Sequence, residues 1–211
     1  MSQIEQNFRL FLSRNPEIEK CCQNGLINRR SLARRIIDDG IANKNQLDAA
    51  IAMLRRFDYG KEEKGSEGIF KNVKVTIKNN ILIASFEKSK EIVRKAPQIM
   101  AHINYDRGDT LKVVVGSTQL KVFIDAEKQK IMDELFSGYK VLHRDKNISE
   151  ISMQFPDISI KTKGIISVIT RELLVHGVNI TELLTASPEL LVYVNEEYVL
   201  KSYEIINALR N

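Results

Sequence analysis

Tryptophan is absent from this 211-residue chain, and cysteine and proline are scarce, with two and four copies. Cys21 and Cys22 are adjacent, and neighbouring cysteines rarely form an unstrained bridge with each other, so we expect reduced structural thiols. No apolar run approaches the roughly 20 residues that span a bilayer, and the polar N-terminus has no signal-peptide core. The sequence therefore predicts a cytoplasmic protein without a membrane segment.

Motifs that bind metals, nucleotides or catalytic cofactors are also missing. The histidines His102, His143 and His176 are isolated from one another and from the cysteines, so no zinc site is predicted. No phosphate-binding loop, dinucleotide fingerprint or nucleophile elbow occurs. The acidic run at 106–109 has the composition of a turn rather than of an acid–base pair. We expect a protein that is not an enzyme and requires no cofactor.

Charge of one sign is only in modest excess, with 32 Lys and Arg against 27 Asp and Glu, a net charge of +5. This excess permits a polyanionic partner but does not demand one, because a solvated basic surface is the more common explanation.

Residues 1–58 carry the spacing of four short amphipathic helices. Pro16 opens the second helix and Gly25 ends it, since glycine accepts the left-handed conformation that helix ends require. Asn28 can cap the third helix, which Gly40 ends, and the fourth follows from about Asn43 or Asn45. The sequence predicts an all-helical N-terminal module.

The third and fourth helices, joined by a turn around Gly40, have the arrangement of a helix-turn-helix. In a DNA reader, however, the N-terminal part of the second helix contacts bases, and here it offers Asn45 and Asp48. A docking or dimerisation module therefore has at least equal weight. The nucleic-acid hypothesis rests on arginines on or beside these helices: Arg30, Arg34, Arg35, Arg55 and Arg56, with Arg29 next to them.

Residues 59–68 are charged, contain glycine and lack apolar periodicity, which indicates a linker. A β-rich part follows. Residues 73–77 and 81–86 alternate as strands around Asn79-Asn80, which predicts a hairpin. A helix at 91–103 broken by Pro97, strands at 110–115 and 119–124, a helix at 127–136 and a strand at 139–143 complete a β-α-β-β-α-β order from residue 81.

The same order begins again near residue 147. A strand at 148–155 precedes a helix at 165–175, strands at 178–184 and 190–194, and a final helix at 198–209. This second unit, 147–211, lacks a fourth strand, whereas the first, 69–146, is preceded by an extra one. The extra strand or a partner chain can complete the second sheet, since open sheet edges tend to be paired.

Three runs of the second unit carry a family resemblance: KTKGIISVI at 161–169, HGVNITEL at 176–183 and LVYV at 191–194. They resemble the ACT domain, in the pattern found at the C-terminus of aspartate kinases. The resemblance implies a small α/β sandwich that binds amino acids and similar effectors. The first unit would be a degenerate copy, so the expected fold is α+β, with tandem ferredoxin-like βαββαβ units after a helical domain.

The resemblance also implies where an effector binds, namely the loop before the first helix of the unit and the start of the next strand. A glycine lets the backbone approach a ligand, and a helix N-terminus favours a carboxylate. Lys163 stands where many family members have proline. The residues carried over from the family are Thr162, Lys163, Gly164, Ile165 and Ile166 in the loop and helix start, with Asn179 and Ile180 on the strand.

Three functions remain open from the sequence. The first is a non-catalytic regulator, forming a dimer, that binds an amino acid and relays binding to the helical module, which acts on DNA. The second is a regulatory subunit that docks on a metabolic enzyme without nucleic acid. The third is a structural oligomer with an empty pocket.

Overall fold

The computed structural model describes residues 3–57, 59 and 67–210. The chain divides into two compact units, Met1–Lys64 and Gly65–Asn211, which we call the helical module and the β-body. Residues 60–66 of the predicted linker lie outside the described residues, as does residue 58 just before the linker. Tyr59 packs against Phe8 and Phe57 of the helical module, and Glu67–Phe70 forms a short helix.

Within the described part of the helical module, the predicted helices are all present. Each begins and ends close to its sequence signal: Asn28 accepts hydrogen bonds from the backbone N–H groups of Arg30 and Ser31, and Gly25 and Gly40 have positive φ. The helices are α1 (Gln3–Arg14), α2 (Pro16–Gln23), α3 (Arg29–Asp38) and α4 (Leu47–Arg56).

One apolar cluster holds the helical module together. Phe8 and Leu12 of α1 meet the buried faces of α3 and α4, and the Phe8 ring lies edge-on to Phe57 with 4.9 Å between centroids. Cys22 is buried in the same cluster, where loss of solvent raises the pKa of its thiol. Both cysteines are free, as the sequence predicts.

The β-body alternates strands and helices over the described residues from Glu67 onwards. Pro97 falls where α6 gives way to a tighter 3-10 segment, Ala96–His102, as predicted. The elements are α5 (Glu67–Phe70), β1 (Lys74–Glu87), α6 (Lys90–Lys95), β2 (Leu111–Val115), β3 (Gln119–Asp125), α7 (Gln129–Leu135), β4 (Val141–Gln154), α8 (Ile165–Val175), β5 (Ile180–Ala186), β6 (Glu189–Asn195) and α9 (Val199–Ala208).

Two of the strands, β1 and β4, are continuous over 14 residues each, and here the prediction was wrong. The predicted hairpin at Asn79-Asn80 does not reverse the chain, and the predicted strands at 139–143 and 148–155 are one strand. The type I′ turn that Asn-Asn would form in a tight hairpin needs positive φ at both central residues. Among the described residues from 74 to 87, only Asn80 has positive φ (60°), and Asn147 (56°) is its counterpart in β4, so each strand has a local irregularity instead of a turn.

The long strands build two interlocked α/β units in one sheet, ordered β2-β3-β1-β4-β6-β5. In the first unit, residues 81–87 of β1 pair with β3 on one side and with the beginning of β4 on the other. The second unit uses residues 148–154 of β4 against β6, and residues 74–78 of β1 as its fourth strand. The extra strand therefore completes the second sheet, which the sequence left open. Each unit has the strand order of a ferredoxin-like fold.

The sheet folds over on itself along β1 and β4. Phe123 on β3 and Tyr193 on β6 have ring centroids 4.8 Å apart. Two other strands lie between β3 and β6 in the sheet, so in a flat sheet β3 and β6 would be about 14 Å apart. Their alternate neighbours, such as Val122 and Val192, face the helices in two separate outer cores. The two halves of the sheet therefore pack face to face, with helices outside. The inner core comprises Ile81, Ile83, Phe123, Ile148, Leu191 and Tyr193.

Beside this inner core lies a layer of opposite charges. Glu150 is 6% exposed, and its carboxylate accepts hydrogen bonds from Lys112 Nζ and Tyr193 OH, each at 2.7 Å. Lys121 on β3 pairs with Glu182 on β5. Burial and the Glu150 charge raise the pKa of Tyr193, so its hydroxyl stays protonated and continues to donate. The first unit supplies the lysines and the second the glutamates, which fixes how the halves align.

No helix among the described residues combines the length and the apolar composition that crossing a bilayer requires.

We predict that Lys112→Met destabilises the β-body by about 2 kcal/mol, because it leaves the Glu150 carboxylate buried without its cation. Urea unfolding followed by circular dichroism measures the change. Lys74→Met is the matched control, since Lys74 is exposed and should shift stability by less than about 0.5 kcal/mol. Equal losses in the two variants would contradict the assigned role of the buried pair.

Candidate functional site

Helix α8 begins without a side-chain cap. The residue before the helix is Gly164, in the left-handed conformation (φ 88°), and as a glycine it has no side chain that could bond to the first turn. The first hydrogen bond of the helix runs from Val168 N–H to Gly164 C=O at 2.9 Å. The N–H groups of the three preceding residues are oriented along the helix axis, with the positive end of its dipole. This end of α8 is an open donor surface.

The turn between β5 and β6 faces this donor surface. Phe155 N–H donates to Pro188 C=O at 3.1 Å, which ties the end of β4 to the turn. Glu189 follows the turn, and its carboxylate accepts a hydrogen bond from Ser152 Oγ. The carboxylate is half-buried and is held in place by β4.

Between the helix start and the turn lies a cavity of about 340 Å³. Its lining combines aliphatic side chains with hydroxyl groups, a mixture usual for small-molecule sites. The lining residues are Phe155, Ser159, Ile160, Thr162, Gly164, Ile165, Ile166, Ser167, Thr185, Ser187, Pro188, Glu189 and Leu190.

This arrangement offers one electropositive helix end and several hydroxyl groups to a ligand. The N-terminus of α8 attracts an anionic group. The Glu189 side chain, by contrast, bonds to Ser152 and shares the face of β6 that carries Leu191 and Tyr193, on the side of the sheet opposite α8. Ser159, Thr162 and Ser167 add hydroxyl groups that donate or accept. The chemistry suits a small carboxylate that carries further hydrogen-bonding groups.

The structure brings together only some of the residues predicted for the site. Thr162, Gly164, Ile165 and Ile166 line the cavity, whereas Lys163 is not among its lining residues. The remaining two predicted residues, Asn179 and Ile180, are also outside the lining.

Asn179 lies beyond the far end of α8. The helix has 11 residues and is therefore about 16 Å long. A ligand at Gly164 thus does not reach Asn179 of the same chain. Ile180 is half-buried and packs against the outer core of the second unit.

Sequence reasoning missed the second wall of the cavity. Thr185 lies near the end of β5, and Ser187 and Pro188 form the turn to β6, which the sequence shows only as a Ser-Pro-Glu break between two strands. The proline was the one signal, because it marks the turn. The relation of this turn to Gly164 depends on how β6 pairs with β4.

The first unit has no equivalent open helix end. Ser89 precedes α6, and its side chain accepts a hydrogen bond from Ile92 N–H at 3.3 Å. The cap occupies one of the donors of the first turn, where α8 has no such cap. Residues 85–90 also lack the glycine that lets the backbone approach a ligand.

The arginines of the helical module are exposed but not equivalent. Arg35 pairs with Asp39, with 3.0 Å from Nε to the carboxylate oxygen. Arg29 carries its charge close to Tyr59, whose hydroxyl donates to Leu54 C=O at 3.2 Å. The start of α3 and the end of α4 are therefore neighbours, which brings four arginines to one end of the module: Arg29, Arg30, Arg55 and Arg56, with Arg34 one turn along α3.

The helix-turn-helix prediction is not confirmed. α3 and α4 pack together, but residues 39–46 connect them, and this connection includes a 3-10 turn at Lys44–Gln46. Helix-turn-helix motifs usually have a turn of three to four residues. Among the described residues, no group of three or more His, Cys, Asp or Glu side chains is arranged to hold a metal ion.

Comparison with solved structures identifies the fold of the β-body. Aspartate kinase from Clostridium acetobutylicum superposes with a TM-score of 0.54 at 20% identity, over 65% of this chain and 34% of that one. The ligand-free regulatory subunit of aspartate kinase from Thermus thermophilus gives 0.51 at 14% identity, over 64% and 95%. A putative regulatory domain of aspartate kinase from Porphyromonas gingivalis gives 0.50 at 17%, over 67% and 99%.

These similarities establish an ACT-like α+β fold, as the sequence predicts, and at such identities nothing finer. The chain spans about a third of the Clostridium enzyme. No family model and no curated relative matches the sequence.

We predict that Gly164→Ala destabilises the protein by about 1 kcal/mol, because a side chain disfavours positive φ even where space is open. Thermal unfolding measures the change. Gly68→Ala is the control, since Gly68 lies in α5 with equally open space and no positive φ, and alanine there is neutral or stabilising. A neutral Gly164→Ala variant would show that the start of α8 tolerates other conformations.

Proposed function

We propose that this protein is a non-catalytic regulator that binds a small zwitterionic effector, an amino acid, in the cavity at the start of α8. One observation carries the proposal: the uncapped N-terminus of α8 and several hydroxyl side chains line the same small cavity. Solved proteins with this fold include regulatory parts of aspartate kinase, and their role is extended here by analogy.

The effector carboxylate binds the N–H groups of Ile165, Ile166 and Ser167, and its ammonium donates to hydroxyl groups of the lining such as that of Thr185. This assignment replaces Asn179, which we inferred from the family resemblance, as the partner of the ammonium group. Aliphatic side chains such as Ile160 contact the remainder of the ligand.

Effector binding regulates only if it favours one arrangement of the chain over another, with coupling of about 1 to 3 kcal/mol. The cavity joins elements from two parts of the second unit, namely the start of α8 and the β5–β6 turn. A ligand that contacts both elements stabilises the arrangement in which they lie close together. The target of the regulation is either nucleic acid or a partner enzyme.

A specific observation favours nucleic acid as a second binding activity. Four exposed arginines lie at one end of the helical module, and none of Arg30, Arg34 or Arg55 has an ion-pair partner among the described residues. Backbone phosphates are bound by such clusters without a recognition helix. Arg35 contributes less, because Asp39 neutralises it.

The effector proposal predicts that one or a few of the twenty amino acids raise the thermal stability of the protein. A ligand at 100 times its dissociation constant adds about 2.7 kcal/mol. Thr185→Val should weaken that amino acid about tenfold by calorimetry, since it removes a hydroxyl group that accepts from the ammonium group. The des-amino analogue should bind parent and variant equally.

Thr181→Val is the matched control, because Thr181 lies on the same strand outside the cavity lining and undergoes the same change. It should bind the effector as the parent does. A flat thermal panel, or equal loss in both valine variants, would favour the structural oligomer over the regulator.

The nucleic-acid proposal predicts that the protein binds a duplex of arbitrary sequence with an affinity that falls steeply as salt rises. Replacing Arg30, Arg34, Arg55 and Arg56 by glutamine should weaken binding at least tenfold and flatten the salt dependence. Fluorescence anisotropy measures both. The control replaces four exposed lysines of the β-body and lowers the net charge equally: Lys71, Lys74, Lys90 and Lys201. Equal effects, or no binding, would leave docking on a protein as the function of the helical module.

A further inference from the structure

The deepest part of the cavity at the start of α8 is mostly apolar. Phe155, Ile165 and Leu190 line it, and all three are buried. The remaining buried residue of its lining is Ser159, which is 8% exposed and lies on a 3-10 turn, Asp157–Lys161, just before the helix. The floor of the cavity therefore consists of three apolar side chains and one hydroxyl group.

The Ser159 hydroxyl group has no hydrogen-bond partner among the described residues. The buried Ser149, in contrast, donates from Oγ to the Asn79 side chain at 2.9 Å. Within the described part of the chain every fully buried polar side-chain atom has a partner, so the Ser159 hydroxyl is not fully enclosed and opens into the cavity that it lines. A hydroxyl group that is withdrawn from most of its solvent and left unpaired gains a hydrogen bond when a ligand enters.

Of the described residues that line the cavity, none directs a charged group toward a ligand. Glu189 contributes to the lining, but its carboxylate bonds to Ser152 on the opposite face of the sheet. Lys163 is not among the lining residues. A charged side chain of an effector would therefore be buried without an opposite charge, which is costly. An effector that fits the floor of the cavity carries an uncharged side chain.

Two isoleucines at the mouth of the cavity add apolar surface that the protein leaves open. Ile160 is 57% exposed and Ile166 44%, and both line the cavity. An apolar group that lies against both withdraws their side chains from water, and each methylene group that it buries strengthens binding about fourfold. A polar side chain of the same shape loses its own hydration in this position. The floor and the mouth therefore select the same kind of ligand.

We propose that the effector is an amino acid with an apolar side chain, and that Ser159 donates a hydrogen bond to its carboxylate. This inference rests on the function proposed above, since it concerns the same cavity. The apolar side chain packs on Phe155 and Leu190 and is covered by Ile160 and Ile166. Ser159 lies on the turn that leads into α8, so its hydroxyl supplements the helix N–H groups as a donor to one anion. A volume of about 340 Å³, near the lower end of the range for ligand pockets, suits a single amino acid.

Two pairs of amino acids test the side-chain preference on the full chain by calorimetry. Leucine and asparagine have side chains of similar shape but different polarity, and norleucine has the carbon chain of lysine without its charge. Leucine and norleucine should each bind at least tenfold more tightly than the polar member of the pair. If a polar or charged amino acid binds as tightly as the best apolar one, the inference is wrong while the proposed regulator stands. If no amino acid binds, the proposed function fails and the inference fails with it.

Ser159→Ala should weaken the binding of the apolar amino acid about tenfold and leave the thermal stability of the ligand-free protein unchanged, because the hydroxyl makes no hydrogen bond to the described residues. Ser149→Ala is the matched control. It removes a hydroxyl group that bonds to Asn79, so it should lower the thermal stability and leave the affinity unchanged. A Ser159→Ala variant that loses stability but keeps its affinity would give Ser159 a structural role and overturn its part in binding.

Ile160→Ala should weaken the binding of leucine about tenfold and that of alanine by less than about twofold, because only the longer side chain reaches the mouth of the cavity. Ile158→Ala is the matched control, since Ile158 lies on the same 3-10 turn and is also exposed but does not line the cavity. It should bind both amino acids as the parent does. Equal losses for leucine and alanine, or equal losses in the two variants, would separate the effector side chain from Ile160 and overturn the proposed packing.

Discussion

The two 14-residue strands, β1 and β4, are the constraint on which the β-body depends. Each contributes one half to the first unit and the other half to the second, so neither unit has a complete sheet without the other. The strands pair with each other along most of their length, and a shift of one residue would turn every apolar side chain to the wrong face. Asn80 and Asn147 absorb the change of direction that lets the two halves fold face to face.

The inner layer between the halves selects one alignment among several that apolar contacts alone would allow. Phe123 and Tyr193 supply apolar contact area between the halves. The hydrogen bonds from Lys112 and Tyr193 to Glu150, in contrast, form at only one relative position of the two halves of the sheet. A buried carboxylate is costly unless it is fully paired, which makes misaligned arrangements less stable. The two halves are thus joined by the continuous chains of β1 and β4, by the hydrogen bonds between these two strands and by the ion pairs of the inner layer.

Duplicated architecture has diverged in the two units. The second unit keeps an uncapped helix after Gly164, with a cavity between it and the β5–β6 turn, whereas Ser89 caps the corresponding helix of the first. In contrast, β2 at the edge of the first unit pairs with β3 in a regular register, while β5 at the edge of the second is irregular. The ligand cavity that we propose therefore belongs to the second unit.

The sequence determined the helices of the N-terminal module, the order of most strands and helices, and the glycine-led start of α8, because caps, glycines and apolar spacing act within a few residues. It failed, or left alternatives open, where the outcome depends on distant pairing: whether Asn79-Asn80 turns or bends the chain, and which strand completes the second sheet. Those choices were decided by the ladder between β1 and β4. Residues of β1 and β4 that lie about 80 positions apart in the chain become neighbours only when the sheet is assembled.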